Sequence, residues 1–152
     1  LFGVADDGQA ELVDRYIREI TPHELSLLPA FHPVIEPIDR DWEHLQMMFS
    51  YSFKNNPYEF HNGGLWPMIT GFYVADLVSR GHPVKARAYL DGIHEANALA
   101  MDAQPWSFPE FVHGKKLSPG GNRCQGWSAA AAVMAHHAIA GEPVMRVLEA
   151  TR

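Results

Sequence analysis

One cysteine, Cys124, is all the thiol chemistry this chain has. An intrachain disulfide and a Cys-rich zinc site are both excluded, which suits a reducing compartment, so the expected location is the cytoplasm. Basic residues are also scarce: 12 Lys plus Arg against 18 Asp plus Glu give a formal net charge of -6. With no basic cluster to neutralise a run of phosphates, nucleic acid is not an expected partner. Apolar runs fall short of the roughly 20 residues needed to cross a bilayer, and no membrane partner is expected. The opening "LFGVADDGQAELVDRYI" lacks the basic, apolar and small-residue order of a signal peptide. It reads as the tail of one element followed by an acidic helix start, and the expectation is a chain that begins inside a longer protein. Nothing in the sequence sets an oligomeric state.

What the chain does have is apolar material, 47% of 152 residues, enough for the core of one globular domain. Asp6, Asp7 and Gly8 precede "QAELVDRYIREI", where Leu12, Val13, Tyr16, Ile17 and Ile20 recur at helical spacing and Pro22 marks the end. From Thr21 to Asn62 the prolines are too frequent for long regular elements, with a short helical turn expected at Trp42 to Met48. A helix follows Gly63 and Gly64 through "LWPMITGFYVADLVSRG", with Pro67 in its first turn and Gly81 as its stop. The next starts at Pro83 and runs through "VKARAYLDGIHEANALAM", polar on one side and apolar on the other. A second loop, Asp102 to Asn122, leads into the alanine-rich helix "CQGWSAAAAVMAHHAIA", which stops at Gly141, and Pro143 opens a last helix. Gly-x-Pro-Val thus joins one helix to the next at both Gly81 and Gly141. Repetition of a long loop, a buried helix, a tight turn and an outer helix is what an α/α toroid of helical hairpins requires. A plain helical bundle would use the same turn, but would not need two long aromatic loops at one end of its hairpins.

Those two loops are where chemistry is expected. In "YEFHNGGLWP", glycine lets the backbone approach a ligand, and Asn and His can bond hydroxyl groups. Taken alone, the stretch reads first as a hydrogen-bonded helix N-terminus, and it is no phosphate motif. The second loop, "WSFPEFVHGKKLSPGG", places one carboxylate, Glu110, among Trp106, Phe108, Phe111 and His113. Apolar neighbours raise a carboxylate's pKa and a polar partner lowers it, so such a glutamate can be tuned for proton transfer, although a surface loop is the commoner fate of Glu. Flat rings beside hydroxyl-bonding groups are what a sugar pocket needs, making a small carbohydrate the leading ligand class. The nine histidines show no metal spacing: His136 and His137 are adjacent and point apart on a helix, and His61, His94 and His113 lack a diagnostic pattern, so no metal is expected. Ser128 in "GWSAAA" is a helix-start residue and not a nucleophile elbow.

"NPYEFHNGGLWP" and "FPEFVHGKKLSPGGNRCQGWSAAA" resemble stretches of the neutral and alkaline invertase family, glycoside hydrolases that cleave sucrose inside cells. That family has a pattern close to Pro-aromatic-x-aromatic-His-Asn-Gly-Gly-x-Trp-Pro, then Trp-Pro-Glu-aromatic, a glycine-rich segment and Gln-x-Trp-Ser. The opening "LFGVADDGQAELV" also resembles the family's helix junction, and glycogen-debranching-like glucosidases share looser versions of both loops. The resemblance implies an all-α, (α/α)6 toroid, with residues 1–152 as the C-terminal part of its single catalytic domain. It implies Glu110 as the general base of an inverting hydrolysis, opposite an acidic aspartate that has no counterpart in these residues. His61, Asn62 and Trp66 match the first motif, Gln125 and Trp127 the second, and with His113 they are the implied substrate-binding residues. No cofactor is implied, since two carboxyl groups and water suffice. Phe108 stands where the family has Trp, and "EFVHGK" replaces a tyrosine- and aspartate-rich version; both bear on which sugar is bound more than on the reaction. A debranching-type α-glucosidase and a non-catalytic carbohydrate-binding toroid are the alternatives.

Overall fold

The computed structural model describes residues 4–47 and 52–142. It is mostly helical with one small two-stranded ribbon, compatible with the all-α expectation. Helix α1 (Asp7–Ile20) starts where Asp6 and Gln9 close a capping box. The Gln9 amide donates to Asp6 Oδ1 at 2.8 Å and the Asp6 amide to Gln9 Oε1 at 3.0 Å, satisfying two otherwise orphaned donors. The helix stops ahead of Pro22, where the amide and hydroxyl of Thr21 both return to the Ile17 carbonyl.

Helical spacing locates α1 but not its buried face. Ile17 is only 7% exposed, yet Leu12, Val13 and Tyr16 are 58%, 53% and 45% exposed, while the carboxylate of Asp14 turns inward. The cause is ionic. Asp14 Oδ1 accepts from Tyr73 Oη at 2.9 Å and Arg80 Nη2 at 2.8 Å, and Oδ2 lies 3.1 Å from Lys85 Nζ. Burial alone would push the Asp14 carboxyl up, but the bonds from Arg80, Lys85 and Tyr73 outweigh it and hold the group down at about 2. Arg80 also reaches Asp76 at 2.8 Å, so the cluster carries two acids and two bases.

After α2 (Trp42–Met47), which buries none of its residues, the main scaffold is a trio of helices: α3 (Pro67–Ser79), α4 (Pro83–Ala98) and α5 (Gly126–Ile139). Met48, the last residue of the expected turn, lies outside the described residues. Both α3 and α4 begin with proline in the first turn, where the missing N–H costs little. Helix α4 ends at Ala98, short of the expected Met101, because the next carbonyls are taken by the second loop: Phe108, Trp106 and Ser107 amides donate to Asn97, Ala98 and Leu99. Gly81 and Gly141 both sit at φ +81, so the two Gly-x-Pro junctions use the same left-handed helix stop. The helix expected from Pro143 lies outside the described residues.

Helix α3 packs against both α4 and α5. Val74, Leu77, Ile93 and Ala135 are fully enclosed, and Leu27 from the preceding irregular segment closes the same core. Each large aliphatic side chain buried this way stabilises by about 1.5 to 3 kcal/mol. The alanine-rich face of α5 does bring backbones together: a Cβ placed on Gly71 of α3 would lie 2.8 Å from the Ala131 methyl. The ribbon pairs β1 (Phe111–Val112) with β2 (Pro119–Gly120), antiparallel, with Phe111 opposite Gly120. Strands of two residues are too short to show alternation, so the ribbon has no sequence signature. Among the described residues no helix is long and apolar enough to cross a membrane.

Candidate functional site

The two aromatic loops are stitched into one unit. Leu65 and Val112 exchange both backbone hydrogen bonds at 2.8 Å, and the Gly114 amide donates to the Tyr58 carbonyl at 2.9 Å. Trp66, just before α3, donates its amide to Leu28 at 2.9 Å, tying the unit to the core. Here the structure corrects the reading of the double glycine. A Cβ on Gly64 would strike the Phe60 carbonyl and crowd the Phe111 ring, so this glycine makes room for loop against loop and not for a ligand. Among the described residues, eight non-glycine residues have positive φ, including Tyr58, Phe60, Trp106, Phe108 and Cys124, and all fall in the segments that lead into α3 and α5. Left-handed backbone at such side chains costs of order 1 to 3 kcal/mol each and persists only where surrounding contacts impose it.

Asn62 supplies several of those contacts. It is 2% exposed, its Nδ2 donates to Ile35 O at 2.8 Å and Asn55 O at 3.1 Å, and its Oδ1 accepts from the Ile35 amide at 2.8 Å. Both amide protons are therefore committed to holding the loop. Trp66 is similarly enclosed, 3% exposed, with its indole N–H donating to the Phe60 carbonyl at 2.8 Å. Its ring links the site's aromatics: Phe111 stacks on it at 6.3 Å, His61 lies at 5.2 Å and Trp127 at 6.3 Å. His61 rests on the Phe60 ring at 4.1 Å and is itself exposed, while Trp127 is 46% exposed. The result is a run of rings with an imidazole at one end and an open indole at the other.

Glu110 enters β1 one residue before Phe111 and is 8% exposed. Its Oε2 accepts from the Asn122 amide at 3.0 Å and from Asn122 Nδ2 at 3.1 Å. Oε1 has no hydrogen bond from the described residues, and it is not among the enclosed polar atoms that lack one. One carboxylate oxygen is thus anchored and the other is open. Of the expected neighbours, Trp106 is 60% exposed and pairs with Phe108, and Asn122 supplies the polar contact that sequence reasoning missed.

His113 stands apart from the Trp66 rings. It stacks on Tyr58 at 6.1 Å, and its Nδ1 accepts from the amides of Lys115 and Lys116 at 3.1 and 3.2 Å. Burial, with the positive charge of Lys116, pushes its pKa down, so the ring is neutral near pH 7 with its proton on Nε2. Gln125 caps the start of α5 through its carbonyl, which receives the Ser128 and Ala129 amides, while its side chain has no partner among the described residues. Ser128 is a first-turn residue, fully buried, and its hydroxyl donates to the Pro109 carbonyl at 2.8 Å beside Glu110. Among the described residues no group of three or more His, Cys, Asp or Glu side chains is placed to hold a metal ion.

Comparison with known proteins bears on the class of this site. No family model matches the chain. Over 107 residues it is 30% identical to the probable alkaline/neutral invertase D of Arabidopsis thaliana, a match covering 68% of this chain and 18% of that relative. The chain thus corresponds to less than a fifth of the relative's length. The match is distant and partial, and over those residues the chain is similar to an alkaline/neutral invertase.

Proposed function

We propose that the complete protein is an inverting glycoside hydrolase of the neutral/alkaline invertase type, acting on sucrose or a similar small glucoside. The observation that carries this reading is Glu110, with Oε2 fixed by Asn122 and Oε1 open, one residue from the ring that stacks on Trp66. In the reaction, Oε1 of Glu110 takes a proton from a water molecule as the water oxygen bonds to the anomeric carbon. The glycosidic C–O bond breaks, its electron pair stays on the departing oxygen, and that oxygen takes a proton from an acid outside these residues. Inverting sites keep the two carboxyl groups roughly 6.5 to 9.5 Å apart to admit the water.

Trp127 and the run of rings behind it offer a face for sugar C–H groups, and the free polar edges of His61 and Gln125 are the hydroxyl partners. Asn62 and the Trp66 indole act one step back, by holding the loops. His113, stacked on Tyr58, joins the pocket only through its Nε2 proton. Residues 1–152 would be the C-terminal part of one (α/α)6 catalytic domain, with α3 and α5 as inner helices. An apolar groove of ≈ 550 Å³ between them is lined by Met68, Phe72, Trp127 and Met134. The reducing, cytoplasmic location belongs to the same proposal and rests on the single Cys124.

Glu110→Gln in the complete protein tests the assignment. Loss of a general base lowers kcat on sucrose by at least a few hundredfold and leaves KM within about twofold. Turnover equal to the parent's would remove Glu110 from the chemistry. Activity on α-1,6-linked glucosides with none on sucrose would move the protein to the debranching-type glucosidases, with the same base.

A further inference from the structure

We infer that Asn122 is the positioning residue of Glu110, selecting Oε1 as the oxygen that accepts the proton. The inference rests on Glu110 being the base and adds what orients it. Three features of the ribbon's mouth converge. First, the bonds between residues 110 and 122 are reciprocal: the Glu110 amide donates to the Asn122 carbonyl at 2.9 Å, while the Asn122 amide donates to the Glu110 carboxylate instead of continuing the ladder. Second, the Asn122 side chain adds a donor to the same oxygen, so both of its bonds converge on Oε2 and neither goes to Oε1. Third, Gly121 between β2 and Asn122 sits at φ +74, and a Cβ there would lie 2.6 Å from the Glu110 Cβ and 3.1 Å from its carboxyl carbon. Only glycine lets the chain turn tightly enough for residue 122 to meet the carboxylate.

A carboxylate held by one oxygen is fixed in rotation, so Oε1 keeps one direction toward the water it must deprotonate, and that orientation is part of the rate. Asn122 itself touches neither water nor sugar in this role. It acts through Glu110.

The test is made in the complete protein with sucrose as probe, comparing Asn122→Asp, Asn122→Ala and Glu110→Gln. Asn122→Asp keeps the side chain's shape but exchanges the donor for a second carboxylate, whereas Asn122→Ala removes the donor without adding charge, so the pair separates the lost hydrogen bond from added repulsion. The expected result is a fall in kcat of about tenfold or more for both Asn122 variants, the size of a lost hydrogen bond to a charged group, with KM within about twofold. Circular dichroism melting of each variant confirms that the folded state is being compared. Parent-like kcat in Asn122→Asp and Asn122→Ala, beside an inert Glu110→Gln, overturns the positioning role and leaves the base in place. A raised KM with unchanged kcat overturns it too, since Asn122 would then be a sugar contact. A fully active Glu110→Gln overturns both the base and its orienter.

Discussion

The three-helix scaffold and the two loops above it are built on opposite terms. In α3, α4 and α5 the backbone keeps to ordinary helical geometry, and stability comes from apolar burial around Val74, Leu77 and Ile93. The loops contain every non-glycine residue of positive φ among those described, and they are held by particular hydrogen bonds: Asn62 across to Ile35, Leu65 to Val112, Asn122 to Glu110. The difference teaches where function is stored. A scaffold made of interchangeable apolar contacts tolerates local change, whereas a loop held in strained geometry by named polar groups loses its shape when one is removed.

Substitutions that strike one region and spare the other sharpen this contrast. The largest effect on stability is expected at Asp14, the ionic tie between α1 and the α3–α4 hairpin. Asp14→Ala leaves Arg80 and Lys85 without their shared acid and costs about 3 kcal/mol of unfolding free energy, while kcat of the folded fraction stays at the parent value. The tie is also acid-labile. Since the folded carboxyl is held at about 2 against an ordinary 3.8, the unfolded chain binds more protons between those values. Its contribution is complete above about pH 4 and is lost as pH falls toward 2. His113, held neutral in the fold, adds a loss that begins as pH drops below its ordinary 6.5. Urea melts at pH 7, 5 and 3 should show the parent weakening toward acid and Asp14→Ala weakening less. Equal slopes would show that Asp14 is not the acid-sensitive tie.

A smaller effect on stability, and a larger one on activity, is expected from the loop clamp. Asn62→Ala strands the Ile35 amide and carbonyl and the Asn55 carbonyl, a cost of about 2 kcal/mol, and kcat falls because the frame around Glu110 loosens. Unchanged kcat with lowered stability would place Asn62 with the scaffold and blur the distinction between the two regions. The smallest effect is expected at Trp127. Its ring is 46% exposed, so Trp127→Ala changes the melting temperature little and raises KM by about threefold to tenfold through lost stacking. A large loss of stability would instead make Trp127 part of the scaffold.

The same division explains which features are legible in the sequence. Helices α3, α4 and α5 were legible because Pro67, Pro83, Gly81 and Gly141 act locally, through φ and a missing N–H, and need no knowledge of distant partners. The buried face of α1 was not, because Asp14 turns inward only to meet Tyr73 and Arg80, far along the chain. Glu110, His61 and Trp66 stood out as rings and ionisable groups in two loops, and Trp127 through the family resemblance, but their division of labour did not. Asn62 looked like a hydroxyl partner and is committed to backbone, and Gly64 looked like a ligand approach and is filled by Phe60 and Phe111. Asn122 carried no signal at all, since its meaning lies in a carboxylate 12 residues away.

The most direct test of the account is the anomer released. The complete protein is incubated with sucrose and the products are followed by proton NMR during the first minutes, before mutarotation mixes them. An inverting hydrolase with Glu110 as base releases glucose first as the β-anomer. Glucose appearing first as the α-anomer would contradict it, and sucrose left intact would move the substrate to another glucoside.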